Sequence, residues 1–388
     1  MRSARVSVFI VFVLNGLIAG SWGPRMPALA DRIGASPGTL GLALLGANAG
    51  LAAAASFAGW GCARLGARVM VLASALAASA VLPVLALVTS PLQLGLVLVL
   101  LGASFGAFDV SMNVAAVGVI RRVGRPLMPV FHSGFSFGAL AGSLGAAFAA
   151  DQRVPLLPYF GVAAVAALTL TAGVIRFVPR EKPASGTARR TGLGRSVLRR
   201  PALWLLGGVA FVAAIVEGSS YDWSALFAVR ERGMPEAAGA ILFSVFCLTM
   251  GVVRLAGERI QHRFGAPRIL VAGSLLAGAG LLTAATVPVT WLTFAGYVLA
   301  GGGLAFAFPV VLDLAGAAGL RADGTGGERE IGFVTTIAYS GFLIGPPMIG
   351  GIAQLTDLSF AIASAGAIAL LITPLTLTAT HHRHQGDR

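Results

Sequence analysis

Charge is what this sequence has least of. Only 11% of its 388 residues are Asp, Glu, Lys or Arg, against about 25% in ordinary soluble domains, so most of the chain cannot face water. Cysteine is nearly absent. Cys62 and Cys247 fall in apolar stretches at different depths, and no disulfide is expected between them. No second His or Cys stands at ligand spacing near His132, which argues against a zinc site there. A phosphate-cradling G-x-x-x-x-G-K-[ST] loop is missing, and no polar stretch is long enough for a soluble catalytic or nucleotide-binding domain. A nucleophile–base pair is missing as well. An enzyme is therefore not expected, nor a cofactor, nor ATP drive from this chain.

Long apolar runs are what the sequence does have. It is 56% hydrophobic, with a mean hydropathy of +0.85. A bilayer-crossing helix needs about 20 apolar residues. Such runs are read at 6–24, 40–62, 69–88, 92–118, 126–149 and 154–178, then at 202–224, 237–256, 268–288, 290–315, 331–353 and 358–379. That is six per half, separated by the Arg-, Pro-, Gly- and Ser-rich segment 179–201, which reads as a cytoplasmic linker. The expected organisation is thus an all-α integral membrane protein. It has an N-terminal six-helix bundle (1–178), a linker (179–201), and a C-terminal bundle with a short tail (202–388). Met-Arg-Ser-Ala-Arg before an apolar run resembles a signal peptide, but a retained first helix is expected because its repeat partner at 202–224 is internal.

Placing both termini in the cytoplasm puts 21 of the 28 Lys and Arg residues in cytoplasmic loops and 5 outside, with Arg176 and Arg254 inside spans. Such a bias is the positive-inside rule. The net charge of +13 then reflects topology, and no nucleic-acid partner is expected. A multi-pass protein of the cell membrane, in bacteria the inner membrane, is expected, with the lipid bilayer as its surroundings and a monomer as its unit.

The halves repeat one another. Asn15-Gly16 returns as Glu217-Gly218, and Trp22 as Trp223. Arg64-x-Gly66-Ala67 returns as Arg263-x-Gly265-Ala266. Gly102 with Ala107-Phe108-x-Val110 returns as Gly302 with Ala307-Phe308-x-Val310. Ser133-Gly134-Phe135-x-x-Gly138 returns as Ser340-Gly341-Phe342-x-x-Gly345. All keep their order, with offsets between 199 and 207. Parallel repeats of this size are how many secondary transporters are built, with the substrate held between the halves.

Several blocks resemble the major facilitator superfamily. The loop Gly59-Trp-Gly-Cys-Ala-Arg64-Leu-Gly66-Ala-Arg68 is similar to its signature loop. Trp22-Gly-Pro-Arg25-Met-Pro27, Asp109-Val-Ser-Met-Asn113, Arg125-Pro-Leu-Met-Pro-Val-Phe-His132, Glu217-Gly-Ser-Ser-Tyr-Asp222-Trp223 and Gly341-Phe-Leu-Ile-Gly345-Pro346-Pro347 are similar to its fucose-permease-like branch. The resemblance implies the major facilitator fold of twelve helices in two pseudo-symmetric bundles. It also implies alternating-access transport of a small solute, often proton-driven, around a cavity made by helices 1, 4, 7 and 10 with 5 and 11 alongside. One departure is Ala63, where the family's loop has an acid before its Arg. The second copy has His262 there, with Glu258 one turn earlier, so the charge relay of Arg64, Arg68, Glu258 and Arg263 is expected to be rearranged.

Ionisable groups inside a span are costly and are functional candidates by default. Asp109 lies about 17 residues into helix 4 with Asn113 one turn on. It reads either as a proton-exchanging acid or as a structural carboxylate bonded to Asn113 or His132. Glu217 stands where the first repeat has neutral Asn15, an asymmetry that suits one proton and one solute, or else it pairs with Arg254. Arg254 serves as counter-ion to Glu217 or Asp109, or grips an anionic solute. His132, Ser136, Asn15, Asn113 and Tyr339 are the expected solute-binding set, with His132 alternatively a helix-to-helix contact. Arg25 and Asp222, each beside a duplicated Trp, are expected to pair when the outer gate closes. Pro309, matching Asp109, is expected to bend helix 10. The leading reading is a proton symporter for a sugar-like neutral compound. The rivals are a proton-driven exporter of a drug or secondary metabolite, and a non-transporting sensor or scaffold.

Overall fold

A segment crossing a bilayer has no water to satisfy its peptide groups, so it must satisfy them within itself, and helices do so. The computed structural model describes residues 2–124, 127–179, 198–319 and 327–386, apart from the side chains of Ser56, Pro129, Glu258, Glu328 and residues 380–386. Most of the linker, together with Arg125 and Pro126 of the resemblance block, lies outside the described residues. Helix is the regular structure throughout those described.

Among the described residues, twelve helical segments are long and apolar enough to cross a membrane, numbered as spans one to twelve. They are Arg2–Arg32, Pro37–Ala55, Ala67–Leu85, Pro91–Val123, Val130–Asp151, Leu156–Phe177, Pro201–Arg230, Glu236–Leu255, Ala266–Thr286, Thr290–Gly319, Arg329–Leu355 and Leu358–Ala379. The chain is a multi-pass membrane protein. Local chemistry sets many of the boundaries. The Ser36 and Ser90 hydroxyls accept from the amides of Thr39 and Gln93, each with proline at the first helical position, a favourable start because that N–H has no helical acceptor. The duplicated loop glycines Gly66 and Gly265 take matching positive φ angles of 85° and 76°, which side chains with a Cβ resist. The tenth span is broken into Thr290–Leu304 and Ala307–Gly319, just ahead of Pro309, as expected of a residue that clashes with the carbonyl four positions back.

By packing, the chain divides into two compact units. One comprises Met1–Thr187 with Asp222–Gly251, the other Ala188–Tyr221 with Val252–Arg388. Span seven from Asp222 onward and most of span eight thus pack with the first half of the sequence.

In the first unit, spans one and five approach closely through glycines. A Cβ on Gly16 would strike the Phe135 carbonyl, one on Gly138 the Val13 carbonyl, and one on Gly134 would press on Phe9. In the second unit, spans seven and eleven repeat those contacts position by position. Gly218 faces Phe342, Gly345 faces Ile215, and Gly341 faces Phe211. Small residues let helix backbones approach where lipid supplies no hydrophobic drive. The repeat read in the sequence is therefore a repeat of contacts. Leu92, Val162, Phe57 and Trp291, among the most exposed apolar side chains, lie on surfaces that suit lipid rather than water.

Candidate functional site

The first unit carries two polar centres. Asp109 sits near the middle of span four. Asn113, one turn along, donates from Nδ2 to the Asp109 carbonyl at 2.8 Å and to Oδ1 at 3.3 Å. Among the described residues no cation pairs with Asp109, and its carboxyl is not bonded to His132. Met112, between the two, takes the other amide: Asn15 Nδ2 points at Met112 Sδ at 3.4 Å. Asn15 is 2% exposed, and its Oδ1 has no hydrogen-bond partner. His132 is exposed, with its ring edge-on to Phe12 at 5.2 Å, while Phe12 stacks on Phe131 at 5.8 Å. Ser133 turns back to the Val130 carbonyl, and Ser136 is buried against Gly251 of span eight.

The second centre lies where the first long helix ends. Pro24 and the 3-10 turn Gly23–Arg25 set Arg25 at the end of the first long helix, where its guanidinium is 4% exposed. Nη2 donates to the Val154 carbonyl at 3.1 Å, the Tyr159 ring lies under it at 5.4 Å, and Nε is 3.3 Å from Glu236 Oε1. Tyr159 in turn donates to the Ser21 carbonyl at 2.9 Å. Arg230 pairs with Asp31 at 2.9 Å, and the hydroxyls of Ser143 and Ser244 meet at 2.6 Å. The expected Arg25–Asp222 pair is not formed. The reason is helix length: span seven continues to Arg230 rather than ending at 224, which sets Asp222 eight residues, about 12 Å at 1.5 Å per residue, inside that end. Glu236, the first residue of span eight, supplies the carboxylate instead. An acid beginning an apolar segment beside the outer loop was the sequence signal for it.

In the second unit, Arg254 Nη2 donates to Glu217 Oε1 at 3.1 Å, with the two side chains 20% and 12% exposed. Its Nε donates to the Ala305 carbonyl at 3.1 Å. That oxygen lies in the break of span ten and would have accepted from residue 309 had it not been proline. Of the two partners considered for Arg254, Glu217 is the one it has. Tyr339 is half-buried in span eleven. Arg200, just before span seven, donates to the Ala318 carbonyl at 2.9 Å and lies 3.4 Å from Glu330.

The two signature loops share another trait. The Arg64 guanidinium stacks over Trp60 at 4.5 Å, and that of Arg263 lies over Phe264 at 5.4 Å. Among the described residues neither these arginines nor Arg68 makes an ion pair. A Cβ on Gly59 would meet open space, and the side chain of Glu258 lies outside the described residues.

The sequence matches the model of the Major Facilitator Superfamily over residues 8–326. It is 31% identical over 377 residues to an uncharacterized MFS-type transporter of Yersinia pestis, covering 97% of this chain and 95% of that protein. It is 27% identical to membrane protein MosC of Rhizobium meliloti, covering 97% and 90%. In fold it is similar to the nucleoside transporter NupG, as its D323A mutant, with a TM-score of 0.82 at 12% identity over 97% of this chain and 99% of that one. A bacterial homologue of the lysosomal transporter Spinster, inward-facing and occupied, gives 0.76 at 14% identity over 97% and 96%. The fold seen here is shared with these two solved transporters.

Proposed function

The chain belongs to the major facilitator superfamily of transporters, and on that premise we propose that it moves a small organic solute by proton-coupled alternating access. The solute is a neutral, sugar-like polar compound, as the fucose-permease-like blocks imply, and the direction is symport. One observation carries the proton coupling: Asp109 lies inside a span with an amide for a neighbour and no cation among the described residues. A charge held there costs several kcal/mol, and taking up a proton removes that cost, so the acid alternates between two states as solute and gradient change. Glu217, tied to Arg254, is the second coupling acid, and solute binding or protonation competes with that pair.

Asn15, Asn113, His132, Ser136 and Tyr339 supply donors and acceptors for solute hydroxyls. The bundles 1–178 and 202–388, joined by 179–201, alternate access in the cell membrane with both termini cytoplasmic, as the Lys and Arg bias indicates. The protein acts as a monomer. An acid without a counter-ion also suits a cationic lipophilic solute that displaces a proton, so proton-driven export is the second reading.

A thermal-shift screen of purified protein at about pH 5.5 and pH 8 against sugars, nucleosides, amino acids and lipophilic drugs tests this. Stabilisation by a sugar, stronger at the lower pH, supports symport. Stabilisation by a lipophilic cation, weaker at the lower pH, replaces it with export.

A further inference from the structure

Asp222 lies inside span seven, and none of the pairs described above accounts for its carboxylate. Its expected partner, Arg25, is held by Glu236, the Val154 carbonyl and the Tyr159 ring. The other charged groups toward the outer end of this unit are also engaged: Arg230 pairs with Asp31, and Arg232 lies over the Phe227 ring. Asp222 itself makes no hydrogen bond or ion pair among the described residues. It is half-buried about 12 Å inside the end of span seven.

The two residues that follow are orphaned too. Trp223 is 0% exposed with Nε1 lacking an acceptor, and Ser224 is 0% exposed with Oγ lacking a partner. Buried polar atoms are nearly always satisfied, and leaving one unmade costs about 1–3 kcal/mol. Two such atoms follow Asp222 directly in span seven, on side chains that fan about 100° apart around the helix.

We propose that Asp222 is a proton-binding carboxyl of the transport cycle, additional to Asp109. A carboxyl bonded to nothing and facing no cation is held most cheaply with a proton on it, because the neutral acid avoids the cost of an uncompensated charge in a span. Glu217, five residues away on the same helix, differs in having Arg254 as a partner. The inference rests on the proton-coupled reading above.

The test uses wild-type protein in a bilayer and dicyclohexylcarbodiimide, an apolar reagent that modifies protonated carboxyls, with peptide mapping by mass spectrometry at about pH 6 and pH 8.5. Asp222 is expected to be labelled several-fold more at the lower pH, and Glu217 to remain unlabelled as the internal reference. Asp222→Asn should abolish that adduct, and Asp222→Glu should restore it at the same position. Labelling of Glu217 with Asp222 spared, or labelling of Asp222 that does not change with pH, overturns the proposal. Asp109 left unlabelled while Asp222 is modified would instead count against the Asp109 assignment and leave this one standing.

Discussion

Arg254 reaches the carbonyl of Ala305, the oxygen that Pro309 deprives of its helical donor, at 3.1 Å, and with its other arm holds Glu217 at the same distance. One cation thus joins spans seven, eight and ten. The arrangement follows from three sequence choices: Glu217 where the first repeat has Asn15, Pro309 where it has Asp109, and an arginine within span eight.

Removing Arg254 alone leaves a largely buried carboxylate and a broken-helix carbonyl without partners. Arg254→Met is expected to destabilise the protein by about 3–5 kcal/mol, and Glu217→Gln combined with it to recover much of that loss. Denaturant unfolding of the two single variants and the double variant in micelles measures the coupling. Strictly additive losses would contradict a shared interaction.

Pro309→Ala restores an N–H that can bond to the Ala305 carbonyl. An interior proline costs a helix about 3 kcal/mol, so the variant is expected to gain helix and melt higher. It is also expected to transport more slowly, because Arg254 loses its acceptor. Circular dichroism with uptake assays checks both halves of this expectation.

Substitutions at the mirrored glycines should follow the contacts. Gly138→Leu drives a side chain into the backbone of span one and is expected to leave little folded protein. Gly145→Ala, where an added Cβ meets nothing within 4 Å, should be neutral or gain up to about 1 kcal/mol from helix propensity. Expression and melting temperature report both.

At the outer end, Arg25→Gln and Glu236→Gln are expected to raise access from outside to a similar degree, while Asp222→Asn leaves it unchanged. Maleimide modification of a cysteine introduced near Ser143 reads this. Equal effects of Arg25→Gln and Asp222→Asn, with Glu236→Gln silent, would restore the pairing drawn from the sequence.

That pairing shows where sequence reading stopped. The spans were legible because the bilayer imposes a length and a polarity on each crossing segment, and the repeat was legible because duplicated glycines sit where helix backbones touch. The Glu217–Arg254 pair was within reach because a buried charge demands an opposite one and the spans offer few. The partner of Arg25 was not legible, since it depended on span seven running six residues past the last clearly apolar stretch, through Ala225 to Arg230. The signature-loop arginines make the same point. The missing acid at Ala63 was visible, but the stacking of Arg64 on Trp60 required the helix to bring residues four apart onto one face.

The central claim, proton-coupled transport through Asp109, is tested most directly in proteoliposomes. The solute that stabilises the wild-type protein in the thermal screen would be followed as labelled uptake with and without an imposed proton gradient, in wild type and Asp109→Asn. The account predicts that the gradient drives accumulation in the wild type, and that the variant loses accumulation while still exchanging labelled for unlabelled solute. Accumulation by Asp109→Asn equal to that of the wild type would contradict it.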